Sequence, residues 1–206
     1  MKKRFLLSVS FLLFLSGIIS GQQNYDHFNG KVLRNFGQRN GTLDSTINNP
    51  AINNVNANAQ TVKYKRASNA KYDNVKIYPQ RKLVDVSPYA THVGTPPKLT
   101  LKVYTSAPAG TKVELQLGKK DDDHYPSGVH SQYEAITTIQ NAWEVLTFTF
   151  AQIPEGSKVE PTEVDKITLL FSPNSSNADT YYFDDLTGPE LVSGPMENLP
   201  VLKKNK

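Results

Sequence analysis

The sequence predicts an all-β fold in which antiparallel sheets pack as a β-sandwich. Three observations carry that expectation. Seven short segments between Thr61 and Leu186 alternate apolar and polar residues. Clusters of Gly, Pro, Asn and Asp separate them. No stretch after residue 21 has a long amphipathic helical period, so nothing supplies the crossover helices that parallel strands need.

The chain opens with Met1-Lys2-Lys3-Arg4, then the apolar run Phe5–Ile19, then Ser20-Gly21-Gln22. A cationic start, a short apolar run and small residues after it form the pattern of a secretory signal peptide, residues 1–21, cleaved after Gly21 or after Ser20. The run is shorter than the about 20 residues of a membrane span, which sets an uncleaved anchor behind the signal-peptide reading. The expected location is therefore secreted, either periplasmic or extracellular. No second apolar run follows, so no membrane span is expected in the mature chain.

Charge narrows the partners. The 206 residues hold 23 Lys and Arg against 19 Asp and Glu. Removing residues 1–21 takes away Lys2, Lys3 and Arg4, and the tail after Pro189 holds Lys203, Lys204 and Lys206 against Glu190 and Glu197. The body between is neutral and projects no long-range field toward nucleic acid or an anionic membrane. The absence of Cys excludes a disulfide scaffold, a thiolate metal site and a thiol nucleophile. The expected organisation is a signal peptide 1–21, a sandwich domain 22–189 and a disordered tail 190–206 rich in charge and Pro.

Element by element, residues 22–60 are polar and Asn-rich, and Asn40–Gln60 reads as long loops with Asx turns and at most one short helix. Thr61–Ala67 alternates. Leu99–Ser106 places Leu99, Leu101 and Val103 on one face and Thr100, Lys102 and Tyr104 on the other. Lys112–Gly118 points Val113, Leu115 and Leu117 inward. Ser131–Thr138, Trp143–Phe150, Asp165–Phe171 and Thr180–Leu186 complete the set, with Phe171, Tyr181 and Phe183 expected in the core.

Catalytic signatures are missing. There is no phosphate-binding glycine loop, no zinc helix, no nucleophile elbow and no dinucleotide fingerprint. The four His, at 27, 92, 124 and 130, show no i,i+4 pair. Glycoside hydrolysis needs two facing carboxylates. With a hairpin turn at 139–142, Glu134 sits opposite Thr147 and points away from Glu144, so that pair cannot cooperate in this register. Asp121-Asp122-Asp123 reads as a solvated loop or as a cation site.

Sugars offer apolar C–H faces and many hydroxyls, so their sites combine exposed aromatic rings with side chains that donate and accept. Alternation puts Trp143, the only Trp, on the more polar face of its strand, together with Gln132 of the preceding strand; His130 lies at that strand's start and Tyr104 on the polar side of its own. Trp143, Tyr104, His130 and Gln132 are the candidate carbohydrate-binding residues. The competing reading has Trp143 closing the edge of the core. Tyr72 and Tyr125 sit in loops where a rim would lie, with nothing in the sequence to favour them.

Three stretches, Asn48–Arg66, Tyr125–Phe150 and Val164–Pro189, resemble the secreted galactose-binding-like β-sandwich modules of Bacteroidetes-type bacteria. The resemblance covers most of the chain from Tyr25 to Pro189. It implies a jelly-roll fold and non-catalytic carbohydrate binding, with a glycan as partner and a monomer as the expected state. It also implies a structural calcium between the domain start and the last strand, held by Asp26 and Asp184. Asn29 stands where similar modules often carry Glu, which weakens that site, and Asp184 has the alternative role of accepting backbone N–H bonds. Two other functions stay open: a structural or adhesive envelope module with no sugar site, and a jelly-roll polysaccharide lyase, for which the last four strands lack Arg.

Overall fold

Residues 21–26, 32–91 and 97–194 are described in a computed structural model of the chain. The signal-peptide segment up to residue 20, His27–Gly30, His92 and the tail from 195 lie outside the described residues. Eleven strands occur among those described: β1 (Gln22–Asn24), β2 (Arg34–Arg39), β3 (Thr42–Asn48), β4 (Gln60–Lys65), β5 (Val75–Pro79), β6 (Leu99–Thr105), β7 (Lys112–Gly118), β8 (Val129–Ile136), β9 (Trp143–Gln152), β10 (Lys166–Phe171) and β11 (Thr180–Pro189). The one helical turn among them is a 3₁₀ turn at Ser87–Tyr89.

All pairings are antiparallel. The first sheet runs β3-β4-β11-β6-β9, with β1 on the far part of β11, and the second runs β2-β5-β10-β7-β8-β9. Strand β9 belongs to both. Its residues 143–148 pair with β6 (Trp143 opposite Tyr104), and its residues 149–152 pair with β8 (Glu134 opposite Thr149). This is a jelly-roll β-sandwich closed along one corner by a strand that changes sheets.

Alternation builds the core as expected. Leu99, Leu101 and Val103 from the first sheet meet Val113, Leu115, Leu117, Ile167 and Leu169 from the second in one buried cluster. Rings lock the layers together: Phe171 of β10 stacks on Tyr181 of β11 at 4.4 Å between centroids, and Phe36 of β2 meets Phe183 edge-on at 6.0 Å. Burying an aromatic ring of this size removes apolar surface worth about 1.5–3 kcal/mol.

Four strands go beyond the sequence expectation. Within the stretch read as loop, Thr42–Asn48 is an edge strand beside β4, and its mostly exposed side chains leave no apolar alternation to read. Strands β1 and β2 are short or Gly-interrupted, and β5 has five residues. The expected hairpin register between β8 and β9 is also corrected. Tyr133 faces Phe150, two residues from the expected pairing, and Trp143 leaves β8 altogether for β6. Pro189 is not where packing stops: Leu191 is buried and bridges Leu83, and Val84 N–H donates to the Glu190 carbonyl.

Candidate functional site

The two sheets present very different outer faces. On the first, Trp143, Tyr104, Tyr182, Lys63 and Asp44 stand side by side across β9, β6, β11, β4 and β3. The Tyr104 ring lies 5.9 Å from Trp143 and 5.7 Å from Tyr182. The β3–β4 loop closes the Trp143 end of this row, while Tyr104, Tyr182 and Lys63 stay half-buried and Asp44 is exposed. Asn49 Oδ1 accepts from Trp143 Nε1 at 2.9 Å, and Trp143 is 2% exposed. Asn56 and Asn58, both buried, donate to Asp184 Oδ2 at 3.0 and 2.9 Å. The loop holds its own shape through Asx turns: Asn49 Oδ1 takes the Ala51 N–H and Asn53 Oδ1 takes the Val55 N–H. The Asn-rich composition therefore encodes a cover. Of the two readings of Trp143, its burial matches the one that closes the edge of the core and not the open stacking platform.

On the second sheet a groove of about 790 Å³ lies across β5, β10, β7, β8 and β9. The register brings Lys76, Thr168, Gln116, Gln132 and Gln152 into one row. At the strand spacing of about 4.8 Å the row is about 19 Å long. Each strand reaches it by the same alternation that fills the core: Gln116 lies between inward Leu115 and Leu117, and Thr168 between Ile167 and Leu169.

The amides are ordered by a carboxylate. Glu114 Oε1 accepts from Gln116 Nε2 and from Gln132 Nε2, both at 2.7 Å. With its nitrogen so used, Gln132 presents Oε1 to Gln152 Nε2 at 2.6 Å and to the Tyr125 hydroxyl at 3.3 Å. Two tyrosines flank this floor. Tyr72 precedes β5, and Tyr125 lies in the β7–β8 loop; because β5 is antiparallel to β10, the two rise from opposite ends of the strands. They are 61% and 59% exposed.

The β7–β8 loop is anchored by charge and by close backbone packing. Asp123 bridges two ammonium groups, Lys166 Nζ at 2.9 Å on Oδ1 and Lys76 Nζ at 2.7 Å on Oδ2. Lys166, almost fully buried, also donates to the Asp122 carbonyl at 2.7 Å. Burial pushes the Asp123 carboxyl up, but the hydrogen bonds and charges of Lys76 and Lys166 outweigh it and hold it below the ordinary range. Gly128 lets the loop close: a Cβ there would sit 2.0 Å from the Asp122 carbonyl oxygen.

The expected binding residues thus separate. Gln132 lines the groove; Trp143 and Tyr104 lie on the opposite sheet. They fall apart because β9 crosses the corner, so one strand's outward side faces two different surfaces. His130 is buried beside Ser131, its Nδ1 3.0 Å from Oγ, and burial lowers its pKa; it does not line the groove. Sequence reasoning passed over Gln116, Gln152, Lys76 and Lys166. The signal was available for the first, since Gln116 holds an outward position of a well-read strand.

Burial, and with it the charges of Asp184 and Asp185 that reach Asp26, pushes the Asp26 carboxyl up, and Arg34 is held by Asp26 with Asp184 adding to the field. Asp26 Oδ2 takes the Arg34 guanidinium. Asp184 is held by two Asn amides and, through Oδ1, by the Asp185 N–H. Asp185, at φ 49°, sits where β11 bulges, and it is bound by Lys102 at 2.5 Å and by Asn24. Hard cations need several free oxygens, and here N–H donors engage all but Oδ1 of Asp26 among the four oxygens of Asp26 and Asp184. No cluster of three or more His, Asp or Glu fit to hold a metal occurs among the described residues. Among the described residues the Arg34 guanidinium occupies Asp26 Oδ2; the rest of the expected calcium segment, His27–Gly30, lies outside them.

No protein-family model matches the chain, and no curated protein matches it in sequence. Solved structures do match in fold. A family 11 carbohydrate-binding module from Clostridium thermocellum, solved with a β-1,3-1,4-mixed-linked tetrasaccharide, aligns with a TM-score of 0.51 at 12% identity, over 81% of this chain and 94% of that one. An exo-β-agarase aligns with a TM-score of 0.50 at 12% identity, over 87% of this chain but only 26% of the agarase. The family 11 module of the cellulase Lic26A-Cel5E from the same organism gives 0.49 at 11% identity, over 87% and 98%. At these identities the shared property is the fold: this chain has the β-sandwich architecture of carbohydrate-binding modules.

Proposed function

We propose that the protein is a secreted, non-catalytic module that binds a glycan in the groove of the second sheet. The observation that carries this reading is the pairing of a row of ordered amides with two exposed tyrosines across one groove. Amides meet sugar hydroxyls as donor and acceptor, and the rings meet the C–H faces. The family 11 module supports the reading by sharing the fold and by having been solved with an oligosaccharide. Affinity electrophoresis and calorimetry against β-glucans, xyloglucan, galactans and agarose test it. Retention of the wild-type chain that falls in Tyr125→Ala and Gln132→Ala is expected. No retention on any glycan leaves the sugar-free envelope module as the better account.

One observation favours a second reading, glycoside hydrolysis: Glu114 and Glu134 face each other across β7 and β8 on the groove side. Their partners argue against it. Glu134 is paired with Lys112 at 2.7 Å, and Glu114 is spent on two amides. Both stand among polar groups, the Gln116 and Gln132 amides and the Lys112 ammonium. The lining holds no Arg or His, which also disfavours a lyase. An assay for released reducing sugar or unsaturated product separates these readings.

A further inference from the structure

We infer that Asp123 is a specificity-determining residue of the groove: it masks Lys76 and Lys166 so that the site takes a neutral glycan, and by the same bonds it positions Tyr125. This inference rests on the groove reading above.

Lys76 and Lys166 both line the groove. Two free ammonium groups on a groove floor would make it a site for uronate or sulfate groups, because charge-assisted hydrogen bonds to an anion are about twice as strong as neutral ones. Asp123 removes that option by taking one lysine on each carboxylate oxygen. The remaining lining acids are Glu114, bound to two amides, and Glu134, paired with Lys112, so no lining cation is left unengaged. An anionic sugar would meet two cations already engaged, whereas a neutral chain would meet oriented amides.

The same carboxylate controls shape. Tyr125 lies two residues beyond Asp123 in a loop closed by Gly128 packing on the Asp122 carbonyl, and its hydroxyl reaches Gln132 on the floor. Releasing Asp123 frees the lysines and loosens the ring together. A residue with only a structural role would weaken all ligands alike; a mask would exchange one ligand class for another.

The test compares native and carboxymethylated forms of mixed-linkage β-glucan, xyloglucan and agarose by affinity electrophoresis at low and moderate salt. The wild-type chain is expected to bind a native polymer at least threefold better than its carboxymethylated form. Asp123→Asn is expected to lose about fivefold on the native polymer and gain severalfold on the charged one, with the gain erased by salt. The triple variant K76M/D123N/K166M has no cation to unmask and should show no gain. On native polymer D123N/Y125A should be no weaker than Y125A, since Asp123 acts through that ring. Equal losses on both polymers in D123N, an equal gain in the triple variant, or a wild-type preference for the charged polymer overturns the mask while leaving the groove in place. Absence of wild-type binding to every polymer, native or charged, overturns the groove reading and this inference with it.

Discussion

The outer faces of the two sheets begin from the same rule and end as opposites. Both are the outward side of alternating strands, and both carry aromatic and amide groups. On the first sheet the Asn49–Ala59 loop lies over Trp143 and Asp184, and its amides satisfy them. On the second sheet the β7–β8 loop is pulled to one side by Asp123, and the row Gln116–Gln132–Gln152 stays within a groove. The comparison teaches that the placement of a loop, more than the polarity of a strand, decides whether a sheet face is covered or left as a groove.

The largest expected effect lies on the covered face. Trp143→Ala should cost about 3–5 kcal/mol of stability, as for other buried aromatics, measured by denaturant unfolding, while glycan affinity per folded molecule stays unchanged. A loss of affinity without loss of stability would move the binding site to the first sheet. Next, Asn56→Ala with Asn58→Ala leaves a buried carboxylate without its amide donors, a loss of about 1–3 kcal/mol for each unmet group. Tryptophan emission should shift to longer wavelength as the cover lifts from Trp143.

On the groove face the signs reverse. Tyr125→Ala should weaken glycan binding by about 1 kcal/mol, of the order of an aromatic contact, and change stability by less than about 0.5 kcal/mol, as exposed positions usually do. A comparable fall in stability would show that ring to be packing. Acid provides a smaller contrast. The Asp123 carboxyl is depressed in the folded chain, so its contribution is present above the unfolded carboxylate value of about 4 and is lost as pH falls through the lower folded value. Melting temperature followed from pH 5 to pH 2 should fall less in Asp123→Asn than in wild type. The smallest effect concerns metal. With Arg34 as the internal cation at Asp26, chelation should leave the melting temperature unmoved; a fall of several degrees, reversed by calcium, would restore the metal.

The legible strands were those whose inward residues are uniformly large and apolar. Leu99-Leu101-Val103 and Val113-Leu115-Leu117 declare themselves because both flanking strands are also present and the inward side is dry. Thr42–Asn48 did not, since an edge strand with exposed side chains gains its order from backbone pairing with β4, to which side-chain polarity is blind. Gln132 reaches the groove because alternation turns it outward, but on the sheet opposite Trp143 rather than beside it. For Trp143 the sequence leaves both an open platform and a core-edge position, because alternation reports the side of a strand and says nothing about what lies above it.

The sequence by itself determined the all-β sandwich, the inward residues of its central strands and the turns between them, because a period of two and its interruptions are local properties. Only the tertiary structure decided that β9 changes sheets, that the Asn-rich loop covers Trp143, and that Lys76, Asp123 and Lys166 meet. Those outcomes depend on registers and on contacts between residues tens of positions apart, where a shift of one residue reverses a face and nothing local marks the partner.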